Sequence, residues 1–165
     1  MLVFLCGCAS EVTSIRDEAE AVLDRNEGYL LMEVDTTHNL EAIHIVGPRH
    51  IKLTRTDLRT GSNYILVSLP AGRYRIDSVN RTQQYYYALV GDNWDFQVRE
   101  GAISYIGNLT FKGDYWGFSG SFALINRSSF ALEYLEKNFP GLLETRPLVF
   151  GGPGDDGFFE AVARQ

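Results

Sequence analysis

A chain of 165 residues that is 45% hydrophobic, with ten Phe, nine Tyr and two Trp, can bury the core of one domain without disulfides or metal, and its composition excludes disorder. A formal net charge of −6 argues against nucleic acid as a partner, since neutralising phosphates requires a basic surface. The charge is uneven: residues 11–46 carry nine acidic and two basic groups, whereas residues 47–81 carry seven basic ones (Arg49, Lys52, Arg55, Arg59, Arg73, Arg75, Arg81) against Asp57 and Asp77. That block suits anionic headgroups or an acidic partner, or else it pairs with the acidic segment before it.

The first apolar run ends in Leu5-Cys6-Gly7-Cys8-Ala9-Ser10. It is too short to span a bilayer, which takes about 20 residues, and every later apolar stretch is broken by charge or Gly. Cys6 and Cys8 fall short of the roughly four ligands of a zinc site. His38, His44 and His50 recur at even intervals, but Gly47-Pro48 interrupts the strand that would align the last two. A redox Cys-x-Cys pair wants a βαβ context that the pattern lacks. What remains is processing, because an apolar segment followed by small residues is how a secretory signal ends.

The order Leu5-Cys6-Gly7-Cys8 resembles the lipobox of bacterial lipoproteins, although none of the residues before Cys8 is basic. The resemblance implies a signal peptide at residues 1–7, a diacylglycerol thioether on Cys8, and N-acylation of that residue after cleavage. A thiol is the one good nucleophile there, and Gly7 admits a peptidase close to the backbone. Several acyl chains anchor firmly where one is marginal. Ala9 after the Cys implies the outer membrane, with the protein facing the periplasm of a bacterial cell envelope.

Beyond Cys8, Val12, Ile15, Ala19, Val22 and Leu23 recur at helical spacing and predict a short amphipathic helix within a tether at residues 8–27. From Gly28 the texture is that of strands. "GYLLMEVDTT" predicts a buried strand, and "AIHIV" and "HIKLTRTDL" predict two short ones about Gly47-Pro48. In "NYILVSLPAGRYRIDSV", Ile65, Val67, Leu69, Tyr74 and Ile76 alternate about Pro70-Ala71-Gly72, which predicts a hairpin. "WDFQVREGAISYIGNLTF" predicts another, with Ile103, Tyr105, Leu109 and Phe111 at odd spacing on one face. "YWGFSGSFALI" adds a last strand, with Phe118, Phe122 and Leu124 in phase.

Helices should follow: one capped by Ser128 or Ser129, a turn or two after Pro140, and a short one at "FFEAVAR" beyond the flexible loop "GGPGDDG". The expected fold is mainly β, an antiparallel β-sandwich of about nine strands at residues 28–126, with a helical extension at 127–165 packed on it. "LPAGRYRIDSV", "FQVREGAISYIGNLTF" and the "LEYLEKNFPGLLETRPLVF" tail resemble uncharacterised bacterial lipoproteins with a transthyretin-like or immunoglobulin-like sandwich. That resemblance carries fold and location but no catalytic residues.

No catalytic motif is complete, so no catalytic, metal or cofactor site is assigned and the protein is not expected to be an enzyme. "GFSGS" misses the nucleophile elbow at Ser121, and "GGPGDDG" lacks the Lys of a phosphate loop. Asp92, Asp95, Asp155 and Asp156 lack calcium-loop spacing, and a hydrolase using loop carboxylates is the weakest expectation. Three Asn-x-Ser/Thr triplets, at Asn80, Asn108 and Asn126, carry no meaning in a bacterial envelope. In Tyr85-Tyr86-Tyr87 neighbours point to opposite faces, so at least one ring points away from the core. Trp94 and Trp116 sit among Asp and Asn, a mixture suited to stacking on sugars or to a protein interface, or simply to capping the core. The expected contacts to an envelope protein or a glycan are therefore Tyr86, Trp94, Trp116, Arg55, Arg73 and Arg75.

Overall fold

The structure, a computed structural model, describes residues 9–114 and 119–164. The sites expected at Cys8 and Trp116 lie outside the described residues. The protein is mainly β, with two sheets and three α-helices among those residues.

The strands are β1 (Ser10–Val12), β2 (Glu27–Thr36), β3 (Ala42–Val46), β4 (Ile51–Thr54), β5 (Gly61–Pro70), β6 (Gly72–Asn80), β7 (Tyr86–Ala88), β8 (Asp95–Val98), β9 (Ile103–Gly113), β10 (Gly120–Ile125) and β11 (Leu148–Phe150). The helices are α1 (Ser128–Asn138), α2 (Pro140–Thr145) and α3 (Phe158–Val162). One sheet runs β1-β4-β3-β6-β7, with β8 sharing the β7 edge of β6. The other runs β10-β9-β2-β5, with β11 also on β9.

The core explains why "YLLMEV" is apolar without interruption. On one side of β2, Leu30, Met32 and Val34 join Ile65, Val67 and Leu69 of β5 and Ile106, Leu109 and Phe111 of β9. These meet Ile43, Ile45, Ile51, Leu53, Tyr74, Ile76 and Val79 from the other sheet. On the opposite side, Tyr29 and Leu31 pack with Leu66, Ile103 and Tyr105 beneath Ala131, Leu135, Leu142 and Phe159 of the three helices and Phe139 at the junction of α1 and α2. A strand covered on both faces has no polar face to show.

Several expectations are corrected. Three of the pairings, β1–β4, β2–β9 and β11–β9, are parallel, so the sheets are mixed rather than antiparallel. Neither predicted hairpin forms. β5 and β6 belong to different sheets, as do β8 and β9, so the turns Pro70–Gly72 and Arg99–Ala102 carry the chain from one sheet to the other. Alternation on both sides of a turn fixes which face is buried, and both arrangements bury the same face. At the first crossover the Tyr74 hydroxyl donates to the Pro70 carbonyl at 2.8 Å.

The odd-spaced set in β9 also splits. Gly107, at φ 120, shifts the register between β2 and β9, so Ile103 and Tyr105 face the helices while Leu109 and Phe111 face the inter-sheet core. The extra residue of a bulge reverses the phase of everything after it.

No N-terminal α-helix forms among the described residues. Residues 10–12 pair with β4, and Glu18–Glu20 make a single 3₁₀ turn. A lone helix of a dozen residues is marginal, and Val12, Thr13 and Ile15 are β-branched, whereas the edges of β4 and β5 offer ready partners. Between them, the Ser14 N–H donates to buried Asp57 Oδ2 at 2.9 Å, Leu66 N–H donates to Ser14 Oγ at 3.0 Å, and Ile15 N–H donates to Leu66 O at 2.8 Å. Arg16 completes the tie by pairing with Asp57 Oδ1. The segment is thus a strap across two sheet edges, and the region after residue 127 is likewise built in, since β11 extends a sheet. At α1 the capping acceptor is Asn126, whose Oδ1 receives the Ser128 N–H at 3.0 Å.

Two substitutions test this account. Phe111→Ala removes a ring stacked on Phe122 at 4.7 Å in the inter-sheet core and should cost about 3–5 kcal/mol in urea unfolding. Asp57→Ala should cost about 2 kcal/mol and speed hydrogen exchange at the Ser14 and Ile15 amides before the sheets open.

Candidate functional site

The side chains that leave the core along β6 and β8 build an open groove of about 590 Å³, lined by Arg73, Asp92, Asn93, Asp95, Gln97 and residues 151–154. Register makes it. Tyr74 and Phe96 point inward and stack at 5.6 Å, so Arg73 and Arg75 stand outside, directly across from Gln97 and Asp95.

Arg75 holds Asp95 with both ends of its fork, Nε to Oδ1 at 2.6 Å and Nη2 to Oδ2 at 3.2 Å, and lies 3.6 Å from Asp92 Oδ1. That hydrogen bonding holds the Asp95 carboxyl below its ordinary pKa and raises that of Arg75. Arg73 is exposed and makes no ion pair among the described residues. It lines both this groove and an adjoining one of about 470 Å³ shared with Val46, Gly47, His50 and Tyr74. A guanidinium with open donors recognises carboxylate, phosphate or carbonyl groups.

The opposite wall is the stretch Gly151–Gly154, expected as a flexible loop. Its first half is pinned. Gln97 N–H donates to Gly151 O and Gly151 N–H donates to Tyr105 O, each at 2.8 Å. A Cβ at Gly151 or Gly152 would stand 2.3 Å from the carbonyl oxygen of Gln97 or Ile106. The glycines are there because backbone lies on backbone.

The expected contact residues are brought together only in part. Arg73, Arg75 and the turn bearing Trp94 share the groove edge. Trp94 itself is half-buried against the core, with Nε1 donating to Val90 O at 3.2 Å. Arg55 stands elsewhere, 3.8 Å from Glu41, in a cleft with Arg81 and Gln84. Tyr86 is 64% exposed on β7, while its neighbour Tyr87 turns inward to Phe111 and Phe122.

The other sequence candidates have structural settings. Burial works against the charge of Asp156, but hydrogen bonds from Asn126, Ser128 and the Phe158 N–H outweigh it and hold its pKa below the ordinary value. It ties the start of α3 to α1. Among the described residues no three metal-ligating side chains converge, and no helix is long and apolar enough to cross a membrane.

Sequence reasoning missed one polar cluster. Buried Glu33 and Asn108 face each other across β2 and β9, with Glu33 Oε1 receiving the Ser62 hydroxyl at 2.5 Å. Glu33 Oε2 and Asn108 Nδ2 have no hydrogen-bond partner among the described residues. The continuous apolar run around Glu33 was its signal.

No family of known sequences matches this chain, and no characterised protein or solved structure is significantly similar to it.

The Arg75–Asp95 pair has a pH signature. Because the Asp95 pKa is lowered on folding, its contribution to stability is present above the ordinary value of 3.8 and disappears as pH falls through the depressed folded value. In Arg75→Gln the Asp95 carboxyl should titrate close to its ordinary value by NMR, and that part of the acid dependence of stability should vanish.

Proposed function

We propose that this protein is a lipid-anchored component of a bacterial cell envelope, attached through Cys8, whose β-sandwich binds or scaffolds another envelope component without catalysis. The observation that carries this reading is the groove along β6 and β8. Its carboxylate Asp95 is held by both ends of the Arg75 fork and has a pKa below the ordinary value, which suits a fixed recognition surface, whereas a general acid or base needs a carboxyl tuned toward neutrality. The exposed Arg73 supplies donors for an anionic or carbonyl-rich segment of a partner. The sandwich reading, of transthyretin-like or immunoglobulin-like type, is supported by a core shared between two sheets and by the Tyr74–Pro70 clasp, a device common at sandwich corners.

Mass spectrometry of the native chain should find acyl groups on Cys8 and no residue before it; an unmodified Cys8 removes the anchor. A photo-crosslinker at position 73 should then capture a discrete envelope partner in cells. A crosslinker at position 55 should not, and equal capture at both positions would sink the groove as the binding face.

A second reading, glycan binding, is favoured by Tyr86, which offers a mostly bare ring beside the partly exposed Tyr85. It expects the protein to co-sediment with peptidoglycan or surface polysaccharide and to lose retention in Tyr86→Ala. Retention unchanged in Tyr86→Ala and Trp94→Ala retires it.

A further inference from the structure

The turns at one end of the two sheets form a continuous surface. Ser10 N–H donates to His50 O at 3.0 Å, which puts the start of β1 beside the Gly47–His50 loop. That loop lies on the first crossover, where a Cβ at Gly72 would meet Pro48 at 2.6 Å. Next to it, Ala71 N–H donates to Asn26 O at 2.8 Å and Gly101 N–H donates to Glu27 O at 2.9 Å. Arg146 Nη1 closes the series, 3.9 Å from the place a Cβ on Gly101 would take.

The turns at this end carry Arg25, Arg49, Arg73, Arg99 and Arg146, all exposed, together with the exposed His50. None of these five Arg makes an ion pair among the described residues. Carboxylates at the same end include Asp24, Glu27, Glu100 and, two residues before Arg146, Glu144, while Glu11 is engaged by Lys52 at 2.9 Å. On a chain whose net charge is −6, five Arg against these four carboxylates leave this end locally positive.

We propose that this end is seated on a bilayer, with Arg49, Arg99 and Arg146 against anionic lipid headgroups. The orientation rests on the lipid attachment read at Cys8. In the chain Cys8 lies two residues before Ser10, the residue that begins β1 beside the Gly47–His50 loop. The affinity of the surface for anionic headgroups does not rest on that lipid. Guanidinium groups bind phosphate bidentately, and each Arg near an anionic leaflet adds about fivefold to membrane affinity. With the anchor in place, the same contacts hold the body in one orientation and leave the β6–β8 groove opening sideways, close to the membrane plane.

The test uses the full chain carrying Cys8→Ser, so that no acyl group contributes, with vesicles of phosphatidylcholine alone or with phosphatidylglycerol added. Sedimentation should show binding to the anionic vesicles only, weakened by salt. Arg49→Gln with Arg99→Gln should reduce it about fivefold per residue, whereas Arg59→Gln with Lys112→Gln, at the far end, should leave it unchanged. Glu100→Gln, which removes a carboxylate beside Arg99, should raise it and keeps the proposal testable if the Arg variants fold poorly. Equal binding to both vesicle types, or no response to either the Arg variants or Glu100→Gln, overturns the proposal. Acyl mass on native Cys8 without anionic preference therefore leaves the anchor and removes the seating surface. Anionic preference without acyl mass retains the surface and removes the anchor.

Discussion

The structure depends on β2 being buried on both faces. Its ladder with β5 runs the whole length of both strands, and its other edge pairs with β9. The backbone groups of its center are thus satisfied inside the sheet, and every buried side chain there except Glu33 has an apolar destination. One face becomes the floor of the inter-sheet core and the other the floor beneath the helices. The single charge in the buried run, Glu33, is accommodated by Ser62 and lies opposite Asn108. A half-satisfied polar pair at the center of a sheet is costly, and it makes a one-residue slip of β2 costlier, because the slip would turn the carboxylate into the inter-sheet core.

With β2 fixed, the chain has to travel between sheets instead of folding back within one. The turns at Pro70–Gly72 and Arg99–Ala102 do this, and the consequence reaches the candidate site. Because β6 and β8 arrive in the same sheet from opposite directions of travel, their outward side chains meet across one ladder, and Arg75 finds Asp95 directly opposite. Had either turn closed a hairpin, those side chains would have been distributed over different sheets. The second crossover also starts β9 where β11 can join it, which lays Gly151 and Gly152 against the groove.

The charge of the molecule is ordered by the same topology. The strap at residues 10–16 takes its acidic and basic groups into pairs with Lys52 and Asp57. The turns at the end beside Ser10 come from distant parts of the sequence, and they carry exposed Arg residues without ion-pairing partners among the described residues. The recognition proposed for the groove and the seating proposed for this end are compatible because they use adjoining faces and share one residue, Arg73. Tyr86 and Arg55 lie away from both.

The sequence by itself determined which residues are inside. The alternation of Ile65, Val67, Leu69, Tyr74 and Ile76, the unbroken run of β2, and the helices closing the chain all follow from side-chain period and from Pro and Gly punctuation. These are local signals, and burial enforces them residue by residue. What the period could not say is which strand lies beside which, since a hairpin and a crossover bury the same face. Nor could it register Gly107, where one extra residue inverts the phase of β9, or show that Val12 and Ile15 serve sheet edges better than a short helix. The groove belongs to this second kind of information. Arg75 and Asp95 are twenty positions apart, Gly151 is farther still, and only the pairing of β6 with β8 and of β11 with β9 makes them neighbours, because long-range ladders are chosen by how the whole core closes.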